Sequence, residues 1–155
     1  MRLLLKQAAT LFVAALLSGS AAAQNQRPAL VYDVPLEIGD GKHLIVHGTV
    51  NGLVSGPMLV DTGSSYCVLT RATARRLGFA LPRGTTVPVV TANGEVEVDR
   101  FHLPALQLAG ARVTAVETVV MDAVEPPLIG IVGLSLLNRF RYSVDVARGT
   151  LRLER

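Results

Sequence analysis

No tryptophan occurs in the 155 residues, and cysteine occurs once, at Cys67. A lone cysteine excludes an intramolecular disulfide, so side-chain packing has to hold the fold even in a compartment that oxidises thiols. Its neighbours Tyr66, Val68 and Leu69 mark it as a small buried hydrophobe rather than a reactive thiol. Charge is sparse, at 17% of residues, and the longest basic run is Arg75-Arg76 with no aromatic interleaved, which argues against a nucleic-acid partner. Repeats and low-complexity tracts are missing, which excludes solenoid arrays. The absence with the largest consequence is of a second acidic turn: Asp61-Thr62-Gly63 is present once, with no other Asp-Thr-Gly and no Asp-Ser-Gly.

A bilayer-spanning run is also missing. The N-terminal candidate, AATLFVAALL after Arg2 and Lys6, has an apolar core of about ten residues, short for a transmembrane helix. It runs into SGSAAAQ, where Ala21-Ala22-Ala23 forms an A-x-A cleavage site before Gln24, so residues 1–23 read as a secretory signal peptide. Retention as an uncleaved membrane anchor is the minor alternative, and no cysteine stands at the cleavage point to take a lipid. The expected destination is the periplasm or the exterior, with no stable membrane insertion after cleavage. Loss of Arg2 and Lys6 lowers the formal charge from +3 to about +1, so much of the basic balance belongs to the signal. Residues 24–30, QNQRPAL, read as a short mobile leader, and residues 31–155 as one domain with a core of its own.

What is abundant is strand-like text. VYDVPLEI, HLIVHGTVNG and PMLVDTG are short runs rich in Val, Ile and Leu, bounded by Gly, Asp, Asn or Pro. Gly39-Asp40-Gly41 and Asn51-Gly52 are the expected turns, the second leading through Ser55-Gly56-Pro57 into the strand that ends at Asp61. The one clear helix follows: Thr70 is placed as N-cap, Ala72, Ala74 and Leu77 face the core, and Gly78 stops it. TTVPVVTANGEVEVDRF reads as a hairpin with an Asn93-Gly94 type I′ turn. HLPALQL and RVTAVETVVM are two further strands, LSLLNRF a short helical turn, and RYSVDVA and TLRLE a closing hairpin. The fold class is therefore all-β with one or two short helices.

An acid wedged between apolar strands is costly to ionise unless donors or a shared proton stabilise it, which makes Asp61 a site candidate. Gly63 permits a tight turn and close approach of backbone amides, while Thr62 and Ser64 supply short hydroxyls. One carboxylate is not enough to hydrolyse a peptide bond with an activated water, because one group must take a proton while another gives one. Two carboxylates sharing a proton do both. With one such Asp per chain, an identical partner can come only from a second copy across a two-fold axis.

Val60-Asp61-Thr62-Gly63-Ser64-Ser65 is similar to the active-site motif of aspartic proteases, and the chain resembles a bacterial, single-lobed, retropepsin-like member over about residues 32–154. VLTRATARRLGF resembles the strand and short helix that follow the motif in that family. The hairpin around Thr91, Ala92, Asn93 and Gly94 lies where the family has its flap, with one glycine where the viral enzymes have several. Ile129, Gly130, Ile131, Val132 and Gly133 resemble the second Gly-containing strand, followed by the C-terminal helix. The resemblance implies a closed β-barrel subunit that forms a homodimer, with the paired Asp61 carboxylates around a water. It further implies that Thr62 supports the pair across the axis, that Gly63 and Ser64 orient it, that a peptide or protein is the substrate, and that no cofactor or metal is used. TLRLE would pair either between chains or within its own subunit. The rival expectation is an inactive exported peptide-binding module on the same fold.

Other polar residues carry less. His43 and His47 are four apart in strand text, where that spacing lacks the helical geometry of a zinc pair, and His102 is isolated. Ser135 lacks the second glycine of a G-x-S-x-G nucleophile turn. Asp145 reads as a turn residue paired with Arg148, and Asp33 and Asp99 as surface charges.

Overall fold

The computed structural model describes residues 28–82 and 85–155. The expected signal peptide and the first part of the leader lie outside the described residues. No helix among the described residues is long and apolar enough to cross a membrane.

Ten strands and two short helices follow one another as β1 (Val31–Ile38), β2 (Leu44–Val50), β3 (Val54–Val60), β4 (Cys67–Leu69), α1 (Arg71–Arg76), β5 (Thr86–Thr91), β6 (Gly94–Leu108), β7 (Ala111–Val120), β8 (Gly130–Val132), α2 (Leu134–Leu137), β9 (Arg141–Asp145) and β10 (Thr150–Glu154). The sheet order is β5-β6-β7-β4-β8-β3-β2-β1-β10-β9, and an added β6–β2 pairing closes the six central strands into a barrel. The expected all-β barrel with short helices is thus the observed one. Closure follows from the length of β6: its first half pairs with β5 and its last residues, Leu106–Leu108, with Val50, Thr49 and Gly48 of β2.

Alternation along the strands fills the barrel. Val46, Val50, Met58, Leu103, Leu106 and Leu108 point inward and are almost fully buried, and Leu136 and Leu137 of α2 cap one end. Burying each such side chain contributes about 2 kcal/mol over leaving it in water. β1 leaves the barrel at Leu36 and pairs over Val31–Pro35 with β10, which pairs in turn with β9. Leu30 and Arg155 exchange both main-chain hydrogen bonds at 2.9 Å, so this pairing begins within the last residue of the expected leader.

Several local expectations are corrected by tertiary contacts. The strand that ends at Asp61 begins at Val54, ahead of the expected PMLVDTG, because Thr49 and Ser55 hydroxyls bond across at 2.8 Å and Ser55 and Gly56 pair with Thr49 and Gly48 of β2. HLPALQL does not stand apart but continues β6. Its ladder keeps one register from Leu103↔Val116 to Ala105↔Thr114 past Pro104, which has no N–H to give. In α1, Thr73 and Ala74 are buried while Ala72 is exposed, since the helix turns its Thr70–Thr73 edge to the core. Thr70 is the N-cap, accepting from the Thr73 N–H at 3.1 Å. The flap turn holds Ala92 and Asn93 between a Thr91↔Gly94 pair, and only Gly94 among these has positive φ, so it is not the expected Asn-Gly type I′ turn. TLRLE lies between β1 and β9 of its own subunit. Asp33 forms a two-pronged pair with Arg152, at 2.9 and 3.2 Å, which holds its carboxyl below the usual range. Asp99 is half-buried rather than exposed.

Candidate active site

β3 carries Asp61 to its C-terminal end, where the strand stops and the chain turns. The Asp61 N–H still bonds to Val132 of β8, at 3.1 Å, so the residue is anchored by the last rung of the parallel β3–β8 ladder. The turn then folds back on the carboxylate: the Gly63 N–H donates to Asp61 Oδ1 at 2.8 Å and the Ser64 N–H to the Asp61 carbonyl at 3.3 Å. A side chain at Gly63 would stand 3.2 Å from that oxygen, tight against the group the amide holds. Ser64 Oγ donates to the Tyr66 carbonyl at 2.8 Å, while Thr62 and Gly63 face outward at the exposed tip.

The loop from Asp61 to Cys67 is clamped from the other side by β8 and α2. Leu134 and Ser135 donate their N–H groups to the Ser64 and Ser65 carbonyls at 2.8 and 3.0 Å. Gly130 and Gly133 make this possible. An added Cβ at Gly130 would overlap the Val68 carbonyl, and one at Gly133 would overlap that of Tyr66 and stand 2.8 Å from that of Ser64. The expected second Gly-containing element is therefore in backbone contact with the Asp61 loop, and Ile131 reaches the cleft beside it while Ile129 packs against Gly56.

Ser135 belongs to this clamp and not to a nucleophile turn. Its hydroxyl accepts from the Cys67 N–H at 2.9 Å and donates to the Glu117 carbonyl at 2.7 Å, tying the loop to β7. No motif in the sequence announces that role. Cys67 lies beneath, fully buried, with Sγ 3.4 Å from the Gly133 nitrogen. Burial pushes its thiol pKa up, against weaker opposing hydrogen bonds from Ser135, Gly133 and Leu136. Stability that this thiol permits is fully present below the ordinary thiol range and declines as pH rises from there through the raised folded value. Cys67 is accordingly expected to resist a thiol-labelling reagent at neutral pH in the folded protein and to react at once in denaturant, read by intact mass. Rapid labelling of the native state would show the clamp to be open.

Asp61 opens onto a cleft of about 470 Å³ whose far wall is the β5–β6 hairpin. Pro88, Val89, Val90 and Thr91 line it from β5, with Tyr66, Val68, Val119, Met121 and Ala123 on the opposite sides. Of the expected flap residues Thr91, Ala92, Asn93 and Gly94, only Thr91 lines the cleft; the cleft-facing stretch lies upstream of the turn. The Thr91 hydroxyl also braces the tip, donating to the Gly94 carbonyl at 2.8 Å and accepting from the Asn93 N–H at 3.1 Å. Sequence reasoning missed Pro88–Val90, Met121 and Ala123, although alternation along β5 marks Val87 and Val89 as one face. A second cavity of about 440 Å³ lies against Ser65, Glu117, Leu134, Ser135, Asn138 and Arg139, but Asp61 is absent from its walls, so the acid chemistry belongs to the first.

A family model described as aspartyl protease matches residues 46–136, from β2 through the Asp61 turn and the hairpin to α2. The chain belongs to the aspartyl protease family. The chain is also similar in fold to the crystal structure of a retropepsin-like aspartic protease from Rickettsia conorii, with a TM-score of 0.65 and 27% identity. That likeness covers 81% of this chain and 92% of the other. No curated protein sequence matches the chain. The family and the fold both agree with the retropepsin-like resemblance drawn from the motifs.

Proposed function

We propose that this aspartyl protease is an exported endopeptidase acting as a homodimer, in which Asp61 of each chain faces its counterpart across a two-fold axis with a water between them. One carboxylate takes a proton from the water while the other, protonated, donates to the scissile carbonyl; as the C–N bond of the tetrahedral intermediate breaks, the first passes its proton to the leaving amine and the second regains one from a gem-diol hydroxyl. The observation that carries the reading is the presentation of Asp61: it sits at a strand end, with one oxygen held by the Gly63 N–H at 2.8 Å, at the mouth of the cleft. Thr62 is exposed at the tip of the turn and in this reading would support the pair from across the axis, while Gly63 and Ser64 would orient the carboxylate, a role that the Gly63 N–H bond to Asp61 Oδ1 supports. An extended peptide would lie against β5, pairing by main-chain hydrogen bonds and sending alternate side chains into the apolar walls. Export is supported by the signal-like text of residues 1–23.

The two-chain requirement has a direct test. With a mixed peptide library as substrate, cleavage rate per chain is expected to fall on dilution through the concentration range in which the dimer dissociates, tracking the dimer fraction measured by sedimentation. A rate per chain that stays constant after the protein has become monomeric would remove the shared site.

A further inference from the structure

β5 stands at one end of the sheet order, with β6 as its one neighbour among the described residues, and it forms the far wall of the Asp61 cleft. In an antiparallel pair, directly opposed residues alternate between exchanging both main-chain hydrogen bonds and exchanging none. The phase is fixed here by Arg100, whose N–H donates to the Thr85 carbonyl at 2.8 Å, one rung past Thr86↔Asp99. Val87↔Val98, Val89↔Val96 and Thr91↔Gly94 are therefore the bonded pairs. Thr86, Pro88 and Val90 turn their main-chain groups away from β6, toward the free edge.

That placement explains how a proline is accommodated in mid-strand, since the ladder to β6 asks nothing of its nitrogen. The free edge does lose something. Thr86 and Val90 each present an N–H and a carbonyl, whereas Pro88 presents a carbonyl alone. The cleft lining on β5 runs from Pro88 to Thr91, so within the cleft Val90 is the one complete rung, and the position without a donor is where the lining ends. Val90 is 79% exposed, open to a strand laid along it.

We propose that Pro88 ends the main-chain grip on a substrate peptide, so that the peptide is held at Val90 and released at the next outward-facing position. A peptide residue brought opposite Pro88 can give its N–H to the Pro88 carbonyl, but a peptide carbonyl arriving there finds no donor and stays bonded to water. The donor is missing for either strand orientation, so selection past this point falls to side chains. The proposal rests on the reading that an extended peptide lies against β5, and it states which rung holds it.

Peptide retention is measured with the mixed library on Asp61→Asn protein, which binds without turning over. In that background Pro88→Ala supplies the missing edge donor and should tighten retention about threefold or more, the worth of one net hydrogen bond. Val90→Pro deletes the donor of the complete rung and should weaken retention about as much, with the β6 ladder untouched. Thr86→Pro, the same change outside the cleft lining, should leave it as it was. Each variant is melted first. Amide exchange gives a readout that needs no loss of binding: the Val90 N–H and the new N–H at position 88 should slow at least about threefold once peptide is bound. In protein that keeps Asp61, Pro88→Ala should lower KM and leave kcat nearly unchanged, because pairing on β5 holds substrate and transition state alike.

Unchanged retention by folded Pro88→Ala or Val90→Pro protein, Thr86→Pro weakening as much as Val90→Pro, a Val90 N–H indifferent to peptide, or no retention at all would overturn the proposal. So would Pro88→Ala protein that self-associates in sedimentation but retains peptide as before, which would make Pro88 only a guard against strand addition. Slowed exchange at Val90 without cleavage by wild type would keep the grip and remove the proposed function. Normal cleavage with a KM unmoved by Pro88→Ala would do the reverse.

Discussion

Asp61→Asn protein should cleave the peptide library at least about a thousandfold more slowly than wild type, because both the proton acceptor and the proton donor of the proposed pair are lost together. The amide keeps an oxygen where Gly63 donates at 2.8 Å, so the turn retains its hydrogen bond and the melting temperature should hardly change. That separates lost chemistry from lost structure. Mixing sharpens the result: if sites form only between chains, equal amounts of wild-type and variant chains at fixed total concentration leave roughly one quarter of the dimers with two Asp61 residues. Cleavage should then fall to about a quarter of the all-wild-type rate rather than to half. A fall to half would mean that each chain works alone. Activity should also decline as pH rises far enough to ionise both carboxylates, since no proton then remains to donate; a profile flat into the alkaline range would exclude the shared-proton mechanism. Full cleavage by Asp61→Asn protein would exclude Asp61 altogether.

Gly133→Ala is the second large effect. The added methyl would overlap the Tyr66 carbonyl oxygen, with the Tyr66 carbonyl carbon at 2.7 Å and the Ser64 oxygen at 2.8 Å. All three are backbone atoms, and the loop bearing them is held by the Leu134 and Ser135 amides, so no side chain can rotate away to relieve the contact. The loop or β8 must shift, at a cost of about 3 kcal/mol or more. Set against the 5–15 kcal/mol that usually separates folded from unfolded, this should lower the melting temperature by about 10 °C or leave little soluble protein. Protein that does fold should cleave poorly, because the strain falls on the turn that presents Asp61. Gly52→Ala is the control: φ there is +72° but nothing lies within 4 Å, so the cost should be about 1 kcal/mol. Equal melting of the two variants would mean that the clamp between β8 and the Asp61 loop is not close-packed.

Much of the local structure was legible because it depends on neighbours in the chain. β1 occupies the very stretch VYDVPLEI, α1 begins at the Thr70 cap and ends before Gly78, and LSLL forms α2, since alternation, capping and turn residues act over a few positions. The failures share a cause. The strand expected as PMLVDTG starts earlier, at Val54, because β2 supplies partners for Val54, Ser55 and Gly56, and HLPALQL, expected as a strand of its own, continues β6 because its ladder to β7 keeps its register past Pro104. Local composition is a weak prior that tertiary pairing overrides.

The site divides in the same way. The sequence by itself determined that one acid stands at the end of an apolar strand, that glycines follow it there and recur near residue 130, and that any identical partner acid must come from another chain. Only the tertiary structure decided that Gly130 and Gly133 touch the backbone of the Asp61 loop, that Ser135 ties that loop to β7, that the cleft wall is Pro88–Thr91 rather than the hairpin tip, and that TLRLE is enclosed while RYSVD is left at the edge. The physical reason is that periodicity specifies which face of a strand is buried, whereas the partner it is buried against lies tens of residues away and is chosen by packing and by the closing of the barrel.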